Sequence, residues 1–274
     1  MLKLMYITND VNMAKILEKN GVDRVWVDLE KLGKSDRQGG MNTVQSSHTI
    51  EDVQRIRNAI SGKSELMVRI NPINPCSVTE IEEVIAAGAD VIMLPYYKTI
   101  ADVDSFINAI RGRVKACLLL ETIGAEQCLD ETLRLYAKDI DEIHIGLNDL
   151  HLEYKMKFMF ELLSNGKVED ISSTIKKYGI PFGFGGIAKL DEGLLPARHV
   201  IAEHYRLGSS MAILSRSFYD HWISDDYEEI DRVFKFGIEQ IRDYEQRLAM
   251  KPECFFENNR KRVVAEVSQV VGTK

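Results

Sequence analysis

The sequence predicts an α/β protein, a (β/α)8 or TIM barrel with a C-terminal helical extension. Three observations support this fold class. The chain has 274 residues, a length at which α/β barrels form one domain. Short apolar runs rich in β-branched residues alternate with longer segments of helical period, as in βα units around a parallel sheet. Several of these runs end in charged residues, and barrel enzymes carry their chemistry at that end of the strands.

The predicted strands follow one another along the chain, with helical patterns between them. One such pattern is TIEDVQRIRNAI, in which Ile50, Val53 and Ile56 share a face and Thr49 caps the start. The eight strands are KLMYIT (3–8), RVWVDLE (24–30), ELMVRI (65–70), DVIMLP (90–95), KACLLLE (115–121), EIHIG (142–146), PFGFGG (181–186) and YRLGSS (205–210).

The domain organisation follows from this pattern. We predict a catalytic barrel domain over residues 1–222 and a helical extension over residues 223–274. The extension begins with an amphipathic helix from about Asp225 to Leu248. We expect it to pack on the barrel or on a neighbouring subunit.

Composition and charge limit the classes of function. Hydrophobic residues make up 45% and charged residues 28%, which is ordinary globular usage. The net charge of −7 argues against a nucleic-acid partner or an anionic membrane surface. The first residues, MLKLMYITND, contain too short an apolar stretch for a signal peptide, and the four cysteines form no C-x-x-C pair. We therefore expect a reduced, soluble, cytoplasmic protein.

Four predicted strands end in charged side chains at one rim of the barrel. Strand two ends in Asp28 and Glu30, strand three in Arg69 and strand five in Glu121, while strand six runs into Asp149. Because side chains alternate along a strand, Asp28 and Arg69 lie on neighbouring strands in positions from which they can pair. We predict one shared site at this rim.

Two carboxylates and an arginine suit the chemistry of a hard divalent cation. Mg²⁺ or Mn²⁺ often uses only one or two protein carboxylates, a role that Glu121 and Asp149 fit. An α-keto acid would supply further oxygens, with the metal as Lewis acid on a carbonyl that becomes an enolate. Arg69 would donate to the same oxygen as charge develops there. The prediction is a metal-dependent carbon–carbon lyase, an aldolase acting on pyruvate or a related α-keto acid.

The same segments also resemble a known family. GVDRVWVDLE, VRINP, GADVIMLPYYKT, LLLETIGA and IGLNDL occur in this order, and together they resemble the HpcH/HpaI aldolase and citrate lyase beta-subunit family of phosphoenolpyruvate/pyruvate-type barrels. The resemblance implies a metal held by Glu121 and Asp149, and an Arg69 that contacts the substrate carbonyl and carboxylate. It also implies a homo-oligomer in which the terminal helix packs on a neighbouring subunit.

The chain departs from the family pattern after strand two. Pyruvate aldolases of the family follow the acid with a histidine base, whereas Lys31 follows Glu30 here. Citrate-lyase-like members carry a second acid there, so Lys31 departs from that pattern too. The next segment supplies Lys34, Arg37 and His48, of which only His48 titrates near neutral pH. We propose His48 as the catalytic base.

The complete prediction for the site has three parts. Structural alternatives exist, since Glu121 and Asp149 could cap helices and Arg69 could be no more than the ion-pair partner of Asp28. His48 could be only a loop or helix-start residue. The predicted catalytic residues are Arg69, His48 and Asp28, the substrate-binding residues are Arg69, Glu30, Gly146 and Asn148, and the metal ligands are Glu121 and Asp149.

Other functions stay open at this point. One is a citrate-lyase-like acyl-CoA lyase, and another is a non-catalytic barrel that binds a small carboxylic acid. An imine-forming aldolase would need a lysine inside the barrel, and Lys115 faces the far end of its strand while Lys98 and Lys189 lie in loops. Phosphoryl transfer or rearrangement on phosphoenolpyruvate would need more basic groups at the rim.

Overall fold

The computed structural model describes residues 1–33, 47–215, 218–219 and 226–272. Parallel strands close into an eight-stranded barrel in the order β1 to β8, which confirms the predicted fold class. β1 pairs with both β2 and β8, so the barrel sheet has no edge. The strands are β1 Lys3–Ile7, β2 Arg24–Asp28, β3 Glu65–Arg69, β4 Val91–Leu94, β5 Lys115–Leu120, β6 Glu142–Ile145, β7 Phe182–Ile187 and β8 Met211–Leu214.

Helices connect the strands and extend the chain beyond the barrel. Among the described helices, none is long and apolar enough to cross a membrane. The helices are α1 Val11–Lys19, α2 Ile50–Ala59, α3 Ser77–Ala86, α4 Ile100–Ile110, α5 Ile123–Gln127, α6 Leu129–Tyr136, α7 Leu147–Glu153, α8 Glu161–Ser164, α9 Lys167–Lys177, α10 Ala197–Leu207, α11 Tyr227–Leu248 and α12 Glu253–Gly272.

Local sequence explains where several helices begin. The predicted cap at Thr49 is confirmed, because its side chain accepts the N–H of Asp52 while the Asp52 carboxylate accepts the Thr49 N–H. Thr99 and Asp102 form the same reciprocal pair at the start of α4. These bonds satisfy backbone donors that have no partner inside the first turn of a helix.

Seven of the eight predicted strands are confirmed, with ends that differ by one or two residues, and the eighth is wrong. Residues 205–207 of the predicted strand complete α10, and β8 starts only at Met211. The residues YRL continue the helical spacing of the buried Val200 and His204, with Leu207 on the same face. Gly208 then ends the helix in the left-handed region, with φ of 76°.

Alternation along the strands separates two hydrophobic layers. One layer fills the barrel interior and the other lies between the strands and the helices, where Val27, Val68 and Leu120 are buried. The interior layer contains Met5, Trp26, Met67, Val91, Met93, Cys117, Leu119 and Met211. Residues two positions after an interior residue continue on the interior face. At the C-terminal ends of β2, β3 and β5, these residues are the charged side chains of the predicted site.

The N-terminal face of the barrel is closed by ion pairs. Arg24 is fully buried and donates to Glu142 at 2.7 Å and to Glu65 at 2.6 Å. Lys3 bonds to both of these carboxylates, and Lys115 bonds to Glu65. Lys115 therefore lies at the face opposite the predicted site, as the sequence indicated. This network stabilises the end of the barrel that is remote from the strand C-termini.

The last two helices pack on the barrel's own helices. α11 contacts α1, and α12 contacts α10 and α8. A buried polar contact fixes α12, since Asn259 donates to the Glu203 carboxylate at 2.9 Å and bonds to the His199 ring at 2.9 Å. The predicted domain boundary at residue 222 lies outside the described residues. The predicted homo-oligomer stays a prediction.

Candidate active site at the C-terminal rim of the barrel

Arg69 and Asp28 form the centre of the candidate site. The two residues are opposite each other in the register of β2 and β3. Arg69 Nε and Nη2 donate to the two oxygens of Asp28, each at 2.8 Å, so the pairing that side-chain alternation predicted is present. The side chain of Arg69 is 11% exposed and that of Asp28 only 2%. A pair with two bonds fixes the plane of the guanidinium and leaves part of its edge accessible.

Further carboxylates surround the same guanidinium. Arg69 Nη1 lies 3.4 Å from Glu30 Oε2, and the guanidinium carbon lies 5.1 Å above the Trp26 ring. Burial alone would lower the pKa of Arg69, but Asp28, Glu30 and Glu121 raise it above its ordinary value. Arg69 therefore stays a cation despite its burial. The structure brings these three predicted carboxylates into the field of one arginine.

Glu121 follows β5 directly and is 3% exposed. Its Oε1 accepts the backbone N–H of Tyr96 at 3.0 Å. A Cβ on Gly146 would lie 2.7 Å from Glu121 Cβ and 2.9 Å from Glu121 Oε2, so the absence of a side chain at Gly146 makes room for this carboxylate. The cap of α5 is Thr122, whose hydroxyl accepts the N–H of Ala125. The residue that caps α5 is therefore Thr122 and not Glu121.

Asp149 and Asn148 lie in the first turn of α7, which starts after Gly146 at the end of β6. Gly146 N–H donates to Leu120 O at 2.8 Å, which fixes the start of this segment beside the end of β5. Asp149 is buried, with 6% exposure, while Asn148 is exposed. The two predicted metal ligands thus follow neighbouring strands at the same rim.

His48 lies just before α2, is buried and contacts the end of β2. Its Nδ1 accepts the backbone N–H of Asp28 at 3.0 Å. A backbone amide does not release its proton, so Nδ1 is the acceptor in this bond. This bond fixes the ring of His48 beside the end of β2, and its proposed role as a base stays a prediction.

Sequence reasoning did not identify several residues that hold the site in place. Asn71 accepts the N–H groups of Lys31 and Leu32 at 2.9 Å and 3.0 Å, which fixes the chain after Glu30. Tyr96 binds Glu121 through its backbone, as described above. Tyr96 follows Pro95 at the end of β4, but its donor is a backbone N–H, which residue type does not reveal. Lys34 and Arg37, the other candidates from the segment after Glu30, lie outside the described residues.

A cavity of about 630 Å³ lies at the opposite face of the barrel. It is lined by residues at the starts of β3 and β5, and two ion pairs lie in its lining, Arg57 with Asp90 at 2.9 Å and Lys115 with Glu65. Barrel enzymes place their active sites at the C-terminal face, so this cavity is not the candidate site.

Comparisons with known proteins show the family and the fold. The model of the HpcH/HpaI aldolase/citrate lyase family matches residues 3–163, more than half of the chain, and this range contains every predicted site residue. The crystal structure of an HpcH/HpaI aldolase/citrate lyase family protein from Burkholderia cenocepacia J2315 is similar with a TM-score of 0.60 at 14% identity. That alignment covers 88% of this chain and 94% of the other, and shows the shared fold. A search of curated proteins gives no match.

Proposed function

The chain belongs to the HpcH/HpaI aldolase/citrate lyase family, and we propose that it is a divalent-metal-dependent carbon–carbon lyase acting on pyruvate or a related α-keto acid. The family supports a lyase. One observation supports metal-dependent chemistry on an α-keto acid in particular. Arg69 is buried, is oriented by Asp28 at 2.8 Å and lies in the electrostatic field of Glu30 and Glu121.

The residues at the rim fit a Mg²⁺ or Mn²⁺ ion. Glu121 and Asp149 offer hard oxygen donors, and Gly146 leaves space beside Glu121 Oε2 that a side chain would fill. Within the described ranges no group of three or more His, Cys, Asp or Glu residues could hold a metal ion. Mg²⁺ is often held by only one or two carboxylates, with water and substrate oxygens as the other ligands. When bound, such an ion supplies a Lewis acid for the substrate carbonyl.

Arg69 binds and orients the substrate in this proposal. Its bonds to Asp28 use Nε–H and one N–H of Nη2, which leaves the remaining N–H groups of its five donors for Glu30 and a ligand. A guanidinium presents pairs of parallel donors that match a carboxylate or the two oxygens of an α-keto acid. Because the Asp28 pair holds the guanidinium before substrate binds, its donors stabilise charge that develops on the carbonyl oxygen without reorganisation.

One observation favours a second candidate function, a barrel that binds a small carboxylic acid without turnover. His48 Nδ1 accepts the Asp28 N–H at 3.0 Å, so this nitrogen binds the barrel backbone. Lys31 occupies the position where aldolases of the family carry their histidine. The two candidates differ in one measurable step, the removal of a proton from the carbon next to the carbonyl.

The test is hydrogen–deuterium exchange at the methyl group of pyruvate in D₂O, followed by NMR with and without Mn²⁺. Enolate formation is common to pyruvate aldolases, so the second substrate need not be known. We expect metal-dependent exchange that is lost in Glu121→Gln. Glu126→Gln is the matched control, because Glu126 lies five residues further along and binds Lys167 at 2.8 Å instead.

The outcomes separate the candidates. Exchange that is independent of Mn²⁺ and unchanged in Glu121→Gln would contradict the proposed chemistry. Binding of oxalate or pyruvate without any exchange would favour the non-catalytic barrel.

A further inference from the structure

The backbone of Tyr96 has a conformation that non-glycine residues rarely adopt. Its φ is 48°, in the left-handed region, directly after β4 and Pro95. This conformation goes with the bond from the Tyr96 N–H to Glu121 Oε1 at 3.0 Å. A strained backbone at a rim position persists only where other contacts hold it.

The side chain of Tyr96 makes such a contact with Glu153. Tyr96 Oη donates to Glu153 Oε1 at 3.0 Å. The other oxygen, Glu153 Oε2, accepts the backbone N–H of Ile123 at 2.6 Å. Ile123 is the first residue of α5, two positions after Glu121. One carboxylate therefore binds both chain segments that determine the position of Glu121.

Glu153 also belongs to the helix that carries Asp149. Glu153 is the last residue of α7, four positions after Asp149, so the two side chains lie on the same face of the helix. Its two bonds join α7 to the loop after β4 and to the start of α5. Glu153 and the Tyr96 hydroxyl thus link the segments that carry Glu121 and Asp149.

We propose that Tyr96 and Glu153 are positioning residues that set the spacing of Glu121 and Asp149 for a divalent cation. The inference rests on the proposed function, because it assigns the two carboxylates to one metal ion. Neither residue needs to touch the ion or the substrate. Residues that orient metal ligands typically change metal affinity by about 10- to 100-fold when they are replaced.

The experiment measures the dissociation constant of Mn²⁺ from the full-length protein, by the electron paramagnetic resonance signal of free Mn²⁺. Tyr96→Phe removes the hydroxyl, and Glu153→Ala removes both bonds of the carboxylate. We expect each to weaken Mn²⁺ binding about 10-fold. Glu153→Gln should recover most of the affinity, since its amide oxygen can accept from Ile123 N–H while its amide nitrogen donates to Tyr96 Oη.

The chain supplies a matched control one residue further along. Tyr154 Oη donates to Glu126 Oε2 at 2.8 Å, a tyrosine–glutamate pair at the same end of α7 that does not contact Glu121. Tyr154→Phe should leave Mn²⁺ affinity within about twofold of the wild type. Because Tyr96 and Glu153 act through one shared bond, Tyr96→Phe combined with Glu153→Ala should bind no more than about twofold more weakly than Glu153→Ala alone.

Melting temperatures measured without metal show whether a variant is folded. Mn²⁺ dissociation constants are compared only among variants that melt like the wild type. Unchanged affinity in Tyr96→Phe, or equal loss in Glu153→Gln and Glu153→Ala, would overturn the positioning role. In that case Glu121→Gln would still abolish binding, and the proposed function would stand. If wild-type protein does not bind Mn²⁺, or Glu121→Gln binds it normally, both the proposed function and this inference fall.

Discussion

Arg69 shows at the scale of one residue why the site uses arginine. Its fork-shaped guanidinium makes two bonds of 2.8 Å to Asp28 and still presents donors at an accessible edge. A lysine has one nitrogen on a flexible stem and cannot keep this plane. The orientation of the guanidinium, in addition to its charge, is what the proposed chemistry needs.

Arg69→Lys should therefore lose function although it keeps the charge. We expect pyruvate exchange to fall about 10²- to 10³-fold, the effect of losing an oriented donor in the transition state. The free energy of unfolding should fall by about 1–3 kcal/mol, because the buried Asp28 loses one of its two bonds to residue 69. The measurements are exchange by NMR and urea denaturation. Arg113→Lys is the control, since Arg113 makes the same two-bond pair with Glu82 at the protein surface. If both variants lose exchange equally, the fixed orientation of the Arg69 guanidinium is not what the exchange reaction requires.

The sequence alone predicted those side-chain positions that follow from alternation along a strand. The Asp28–Arg69 pair follows from parity and register, which the sequence contains. The bond from Tyr96 to Glu121 does not, because its donor is a backbone N–H that every residue except proline carries. The bond from the Asp28 N–H to His48 Nδ1 likewise has a backbone donor, so the sequence could not predict it.

At the scale of elements, the end of α10 shows where periodicity was ambiguous. YRLGSS directly follows a segment of helical period. A short apolar run in that position fits either a strand or the last turn of the helix. These residues form the last turn of the helix because Leu207 completes its buried face. Gly208 then adopts a φ of 76° as the cap. β1, β2 and β5, by contrast, contain uninterrupted apolar runs, LMYI, VWV and ACLLL, which made their positions predictable.

Gly208→Ala tests this account of the helix end. An added Cβ would meet nothing within 4 Å, so the only cost is the left-handed backbone. We expect a loss of about 1 kcal/mol in the free energy of unfolding, measured by urea denaturation. Gly272→Ala is the control, since its Cβ also has open space but its φ is not in the left-handed region. Equal stability of Gly208→Ala and the wild type would show that the cap conformation is not held by glycine.

At the scale of the whole molecule, the barrel wall contains titratable groups that the proposed site does not use. His144 on β6 is fully buried, with Nε2 at 3.2 Å from Gly185 O. His204 on α10 stacks on Phe184 at a ring distance of 3.8 Å, and its Nδ1 lies 2.7 Å from Ser209 Oγ. Burial lowers the pKa of His144 to about 4 and that of His204 to about 3. Both histidines are therefore neutral in the folded protein near neutral pH.

These two lowered pKa values predict how stability depends on pH. The unfolded chain binds a proton at each histidine as the pH falls through about 6.5, whereas the folded protein does not until about pH 4 for His144 and pH 3 for His204. The stability they contribute is thus complete above pH 6.5 and is lost between pH 6.5 and those values. Between pH 6 and 5 the two groups together should lower the free energy of unfolding by roughly 2 kcal/mol, at up to about 1.4 kcal/mol per proton and pH unit.

Replacement of one histidine separates its contribution to the pH dependence of stability from the contribution of the carboxylates. His204→Phe keeps a ring against Phe184 but cannot take up a proton, so the slope of stability against pH should fall by about one proton between pH 6 and 5. The measurement is urea denaturation at several pH values and constant ionic strength. Phe184→Leu is the matched control, because it loosens the same stacked pair without removing a titrating group, and its slope should equal that of the wild type. Parallel curves for His204→Phe and the wild type would show that His204 does not resist protonation in the folded barrel.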